Sequence, residues 1–450
     1  MKIGLIGQGA ARLRADLVNL RSRWRMSADD HRLILRGLIS VGAFSVVGKL
    51  AIGLKEIAVA WRFGVSAQVD AFLFVFNLIS WPIAIWFSTL SVIVIPLEAR
   101  LRKESPDRLT VFRAELLGIT VLLGAVLVLT TRFGLPWVVQ QPRIGLPAGT
   151  VSLALDIVPR LSWLALPGVL IGLLSTWMMS EGRYANTLLE GVPAVCILVA
   201  VTLFSGIQAM VWATLAGTIV QLATLNQSRR HTAASFSLSS PAWVPFWRGF
   251  GVMILGQALM AVTNLVDQLF AAGLGEGAIS SLGYSGRVLA LINGIVATAV
   301  ARATLPVFSR SSAGGGVDTR RVATRWAGIL AITGILAVMV GWFLAPDVVR
   351  ILFQRGTFTS GDTQHVSTLL RYGLFQLPFY FASLVFVSLH SSRGDYGVLL
   401  ASGVLGLSVK IAVVLWLKNS LGVGALVIST AVMYAGNMSW LLLAKSRARS

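Results

Sequence analysis

From about Leu38 onward the chain alternates long apolar runs with short polar breaks. Each run is roughly 20 residues, the length a helix needs to cross about 30 Å of hydrocarbon. Nothing alternates with a period of two, as the strands of a membrane barrel would. The pattern predicts about twelve spanning helices, near residues 37–63, 67–97, 111–131, 152–179, 186–205, 207–226, 246–273, 278–309, 322–345, 364–391, 397–417 and 421–444. With 56% hydrophobic and 12% charged residues, the chain is an all-α integral membrane protein.

Charge refines this picture. A net charge of +20 at pH 7 could point to nucleic acid, but no soluble basic domain is present to carry that function. Topology explains the excess instead, because Lys and Arg gather in cytoplasmic loops. One set of loops holds Arg100, Arg102, Lys103, Arg108 and Arg113, then Arg183, Arg229, Arg230 and Arg248, then Arg310, Arg320, Arg321 and Arg325, then Arg393, and finally Lys445, Arg447 and Arg449. The other set holds Arg132, Arg143, Arg350, Arg355 and Lys418. Both termini are therefore expected in the cytoplasm. Residues 1–36, rich in arginine and without a signal-peptide core, read as a basic cytoplasmic arm.

Two sets of internal matches divide the remainder. FGLPWVVQ from Phe133 returns as FLAPDVVR from Phe343, and LPGVLIGLLSTWMMSEGRYANTLL from Leu166 returns from Leu377, with Pro167 facing Pro378 and Tyr184 facing Tyr396. The second and eighth helices form a third pair, each starting after a glycine (Gly64, Gly273) and expected to end at a proline (Pro96, Pro306). The common offset of about 210 residues predicts a six-helix lobe over 37–230, a linker over 231–245 and a second lobe over 246–450. Six is even, so the halves enter the membrane in the same sense, related by a pseudo-two-fold axis along its normal, as in some secondary transporters.

Charges inside the apolar runs mark the candidate site. GKLAIGLKEIAVAWRFG, from Gly48, carries Lys49, Lys55, Glu56 and Arg62. A charge at the bilayer centre costs about 2.5–3.5 kcal/mol on insertion scales, so these need partners or a watered cavity. Helical spacing puts Lys49 and Glu56 on one face and Lys55 and Arg62 on another about 120° away. Two lysines against one glutamate leave positive charge, and an anion is the expected ligand. Arg287 can offer a forked pair of bonds to phosphate. Asp267 superposes within a residue of Glu56 at the repeat offset and is a candidate for cation or proton coupling, unless it packs against Asn264 or Gln257. Arg302 and Lys410 are further intramembrane charges, and Arg62 lies near a helix end where it can snorkel. There is no Walker loop and no metal-ligand spacing among the four histidines, and Cys196 stands alone, so neither an enzyme nor a cofactor is expected. The glycine-rich SAGGGVD, 312–318, reads as a flexible linker.

KEIAVAWRFGVSAQVDAF (55–72), LGYSGRVLALINGIVATAVARATLPVFSR (282–310) and ILFQRGTFTSGDT (351–363) resemble the signature regions of the MurJ family. These are lipid II flippases of the multidrug/oligosaccharidyl-lipid/polysaccharide exporter superfamily. The resemblance implies two six-helix lobes around a cationic cavity in a bacterial inner membrane, exporting a polyprenyl-pyrophosphate-linked saccharide by alternating access. It implies Lys49, Lys55, Glu56 and Arg287 as substrate-binding residues, with Asp70, Asp267 and Arg62 as candidates for coupling or gating. It implies membrane lipids as surroundings, no nucleic-acid partner, and energy from the membrane potential or a proton or sodium gradient. The chain departs from the family where ISWPIAIWFSTL (79–90) carries no charge, where Ala290 replaces an expected glutamate, and where the expected helix count is about two short. Lipid II and an exopolysaccharide repeat unit both stay open as cargo. A drug or cation antiporter of the superfamily, or a membrane scaffold in envelope synthesis, are the alternatives.

Overall fold

The computed structural model describes residues 47–183, 186–227, 233–314, 319–393 and 395–444, and every regular element among them is helical. The basic arm over 1–36, both termini and the side chain of Arg302 lie outside the described parts. The first lobe comprises α1 (47–63), α2 (Ala67–Glu104), α3 (Pro106–Val139), α4 (Ala148–Leu161), α5 (Ala165–Ser180), a single turn α6 (Asn186–Leu189), α7 (Val192–Leu203) and α8 (Ile207–Gln227). The second comprises α9 (Trp243–Ala272), α10 (Ala278–Gly314), α11 (Thr319–Phe353), α12 (Ser360–Leu374), α13 (Leu377–Arg393), α14 (Tyr396–Leu421) and α15 (Val423–Leu443). Among the described residues nine helices are long and apolar enough to cross a membrane, or ten if a bent pair counts as one. Each of the twelve expected spans has a helical counterpart.

The repeat is visible in the packing. In the first lobe α2 packs on α4 and α5, α3 on α5, and α7 on α8; in the second, α10 packs on α12 and α13, α11 on α13, and α14 on α15. The fourth and tenth expected spans are not single rods. A 3-10 turn, Ser162–Leu164, interrupts the fourth between Pro159 and Pro167, and the tenth bends by 42° between α12 and α13, just before Pro378. A ring in place of an N–H cannot continue the helical ladder, which is why both breaks fall at the matched prolines. Elsewhere the expected endings at prolines are corrected. α2, expected to end at Pro96, runs on to Glu104, and α10, expected to end at Pro306, runs on to Gly314; Pro82, Pro136 and Pro346 likewise lie inside α2, α3 and α11. At Pro346 the freed Trp342 carbonyl accepts from Arg371 Nε of α12 at 2.8 Å. The expected linker over 312–318 is thus helical to Gly314, and 315–318 lie outside the described residues.

The two ends of the bundle differ. At one end, here the Gly64 end, the lobes interlock. Gly64 adopts φ +58°, and a β-carbon there would stand 2.8 Å from the Thr357 carbonyl oxygen. Thr357 N–H donates to the Trp61 carbonyl at 3.0 Å, and Ala60 packs into the second lobe's core beside Tyr284 and Phe358. Reciprocally, Gly273, after α9, meets the first lobe's Ile144–Gly145 turn, while Ala271 and Ala272 join the first lobe's core.

At the opposite end the segment between the lobes is held by one buried acid on α3. Glu115 accepts hydrogen bonds from Ser237 Oγ (2.8 Å), Ser239 N (2.8 Å) and Oγ (2.7 Å), Ser240 N (3.2 Å) and Trp243 Nε1 (2.6 Å). Trp243 and Phe246 stack edge-on against Phe112, and Phe250 meets Trp86. Although α9 opens the second repeat in sequence, it therefore packs along α2 of the first lobe.

Candidate functional site

Three of the charges singled out in the sequence converge between the lobes. Glu56 on α1 forms ion pairs with Lys55, Nζ to one carboxylate oxygen at 2.5 Å, and with Arg287 of α10, Nη1 to the other at 2.6 Å. The Arg287 guanidinium also lies 5.3 Å from the centre of the Tyr284 ring, whose hydroxyl donates to the Gly64 carbonyl at 3.0 Å. Lys55, Glu56 and Arg287 line one small pocket of about 160 Å³. The two-face reading of α1 is corrected here, because neighbouring Lys55 and Glu56 swing into the same pocket. Lys49, two turns away at about 10 Å from Glu56 along the axis, is exposed and interacts electrostatically with Glu190 instead. The structure does not bring it to the cluster. Arg62 lies at the Gly64 end of α1, over its own Trp61 ring at 5.7 Å.

Leu73, Asn77 and Arg287 also line a larger cavity of about 620 Å³ between α2, α9, α10 and α15. Its polar lining is dominated by amides: Asn77, Asn264, Gln268, Asn293 and Gln376. Asn77 Nδ2 donates to Gln268 Oε1 across the lobes at 2.6 Å. Trp81 Nε1, Gln268 Nε2, Asn293 Oδ1 and Asp267 Oδ1 are buried without a hydrogen-bond partner among the described residues. Native interiors rarely leave such atoms unsatisfied, so this wall offers donors and acceptors to a polar guest. Charge-based reading of the sequence missed these residues; the available signal was their position as amides inside apolar helices.

Asp267 is held by Lys410 of α14, Nζ to Oδ2 at 2.6 Å, and not by Asn264 or Gln257. Lys410 is 1% exposed, so this ammonium neutralises the acid inside the second lobe. The charges around the cavity then sum to one net positive, from Lys55 and Arg287 against Glu56. Asp70, also 1% exposed, sits in the first turn of α2 and accepts from Gly277 N at 2.6 Å and Ser280 N at 2.7 Å. It thereby caps the N-terminus of α10, where free N–H groups and the helix dipole favour a carboxylate. This cap ties the two lobes together at the Gly64 end.

A sequence profile of the family described as lipid II flippase MurJ matches residues 59–449. A probable lipid II flippase MurJ of Rhizobium meliloti (strain 1021) is 26% identical over 436 residues, spanning 91% of this chain and 80% of the relative. Among solved structures, lipid II flippase MurJ in an inward closed conformation superposes with a TM-score of 0.79 at 18% identity, covering 89% of this chain and 86% of that one. An inward-facing multidrug resistance MATE family transporter of the MOP superfamily superposes with a TM-score of 0.68 at 17% identity, covering 88% of this chain and 92% of that one.

Proposed function

The chain belongs to the MurJ lipid II flippase family, and from that premise we propose that it moves a polyprenyl-pyrophosphate-linked saccharide from the inner to the outer leaflet of a bacterial inner membrane. The Lys/Arg distribution favours an orientation with the Gly64 end outside and both termini inside. In this reading the pyrophosphate binds Arg287 and Lys55 in exchange for Glu56, which neutralises the pair when the site is empty. Lys49 meets the head group earlier, on the way in. The observation that carries the reading is the single cationic corner opening onto an amide-lined cavity. Amides and an indole N–H are the groups that pair with sugar hydroxyls, whereas a drug-cation antiporter would need an acidic wall.

Transport then runs as rigid-body rocking of the lobes, with the Asp70 cap of α10 broken to release the head group outward. No bond is made or broken in the cargo. An anionic head group leaving a negative cytoplasm gains about 2.3 kcal/mol per charge per 100 mV, so the membrane potential supplies drive without a cofactor.

The test is reconstitution into liposomes with lipid II and, separately, with an exopolysaccharide repeat unit on the same lipid carrier, scoring head-group exposure. The native protein should flip at least one of them. Arg287→Ala and Lys55→Ala should each slow it by about tenfold or more, the loss expected for a charge-assisted bond to phosphate. Undiminished flipping in both variants would remove the site, and no flipping of either lipid by the native protein would remove the function.

A further inference from the structure

The first lobe carries a second concavity, of about 770 Å³, on the flank formed by α3, α4–α5 and α8. It shares no lining residue with the inter-lobe cavity. Its wall is almost entirely carbon, and it opens beside Trp163 and Trp212, which are 55% and 58% exposed. From Trp212 the α8 wall continues through Leu215 to Leu222, away from the Gly64 end. Ten residues of helix cover about 15 Å, the depth of one leaflet of hydrocarbon.

The polar side chains of this cleft are two arginines, gathered at its mouth. Arg132 donates to the Pro159 carbonyl at 2.7 Å and has no carboxylate partner among the described residues. Arg160 reaches Gln208 Oε1 at 3.0 Å and Asp156 Oδ1 at 3.3 Å. Two guanidinium groups against one carboxylate leave a net positive charge there. Gln208 is the second residue of α8, so the charges stand at the level where that helix enters the apolar layer. The Gly64 end is poor in cations overall, and topology gives no reason for two of them to converge on one cleft. Guanidinium forks at head-group level, indoles beside them and a carbon-walled slot of leaflet depth match a phosphate ester with an acyl chain.

We propose that this flank binds one anionic phospholipid from the leaflet at the Gly64 end, its phosphate on Arg132 and Arg160 and one acyl chain along α8. The site is separate from the transport cavity and holds a resident lipid, not cargo.

The experiment uses the full-length protein, delipidated in detergent, with bound lipid counted by native mass spectrometry and thermal unfolding followed in parallel. Phosphatidylglycerol should bind and raise the unfolding temperature. Phosphatidylcholine with the same chains, and glycerol phosphate without chains, should bind about tenfold more weakly or worse. Arg132→Gln with Arg160→Gln should abolish the preference for phosphatidylglycerol. Ala216→Trp, at an exposed position of α8 that lines the slot, fills it and leaves both arginines in place, and should abolish binding while the lipid-free unfolding temperature stays near that of the native protein. Equal binding of the two phospholipids would overturn the role of the arginines, and unchanged binding to Ala216→Trp would overturn the cleft. Displacement of phosphatidylglycerol by a long-chain polyprenyl phosphate at equal concentration would assign the slot to the carrier tail and overturn the proposal. None of these readouts depends on flipping.

Discussion

Glu56 bridges two cations across the contact between α1 and α10, so removing its charge frees both for an anion. Glu56→Gln should therefore bind the lipid-linked pyrophosphate about tenfold more tightly and turn over more slowly, because release now lacks a competing carboxylate. Equilibrium binding together with the flipping rate distinguishes this from plain damage, which would weaken both. The second buried pair calls for a stability measurement. Asp267→Asn or Lys410→Met alone leaves one uncompensated partner inside the second lobe and should cost about 3–5 kcal/mol, whereas the double variant should regain most of it. Thermal unfolding of the four proteins in detergent closes that cycle. At this scale the sequence made the charges conspicuous against an apolar background, but not their partners. Lys410 comes from 143 residues beyond Asp267, and no local spacing links them.

Among elements, the cap of α10 by Asp70 is the joint that the proposed motion must break. Asp70→Asn keeps the size but turns one of the two acceptors into a donor facing an N–H, a loss of about 1–3 kcal/mol. With Cys196→Ser as background, an introduced Leu73→Cys in the cavity wall should react several-fold faster with a membrane-impermeant maleimide added outside. An unchanged rate would leave Asp70 without a gating role. The seat of the inter-lobe segment can be tested separately. Glu115→Gln replaces an oxygen that faces only donors, and amide exchange at Ser239 and Ser240 should accelerate by about tenfold. VDAF near a helix start was legible as a first-turn acid. That it caps the other lobe's helix was not, since the partner is 207 residues away. The two bends were partly legible, as prolines matched at the repeat offset. Pro96 and Pro306 misled, because a membrane helix packed among others tolerates a proline that would end one in water.

For the whole molecule, rocking requires the Gly64 end to separate. Trp61→Cys with Thr357→Cys, again over Cys196→Ser, should form a disulfide that arrests flipping until it is reduced, and the reduced protein should transport as before. The lobes themselves were legible from the offset, since duplicated packing needs duplicated apolar faces. Hidden from the sequence was the allegiance of the leading helices. The tip of α1 rests in the second lobe and the tip of α9 in the first, each seated against the turn that follows the third helix of the other half. Such a reciprocal exchange of equivalent arms is the geometry of a domain-swapped homodimer, here fused into a single polypeptide. A half expressed alone would leave its receiving turn empty and its own arm unseated, and the nearest complement for both is another copy of that same half.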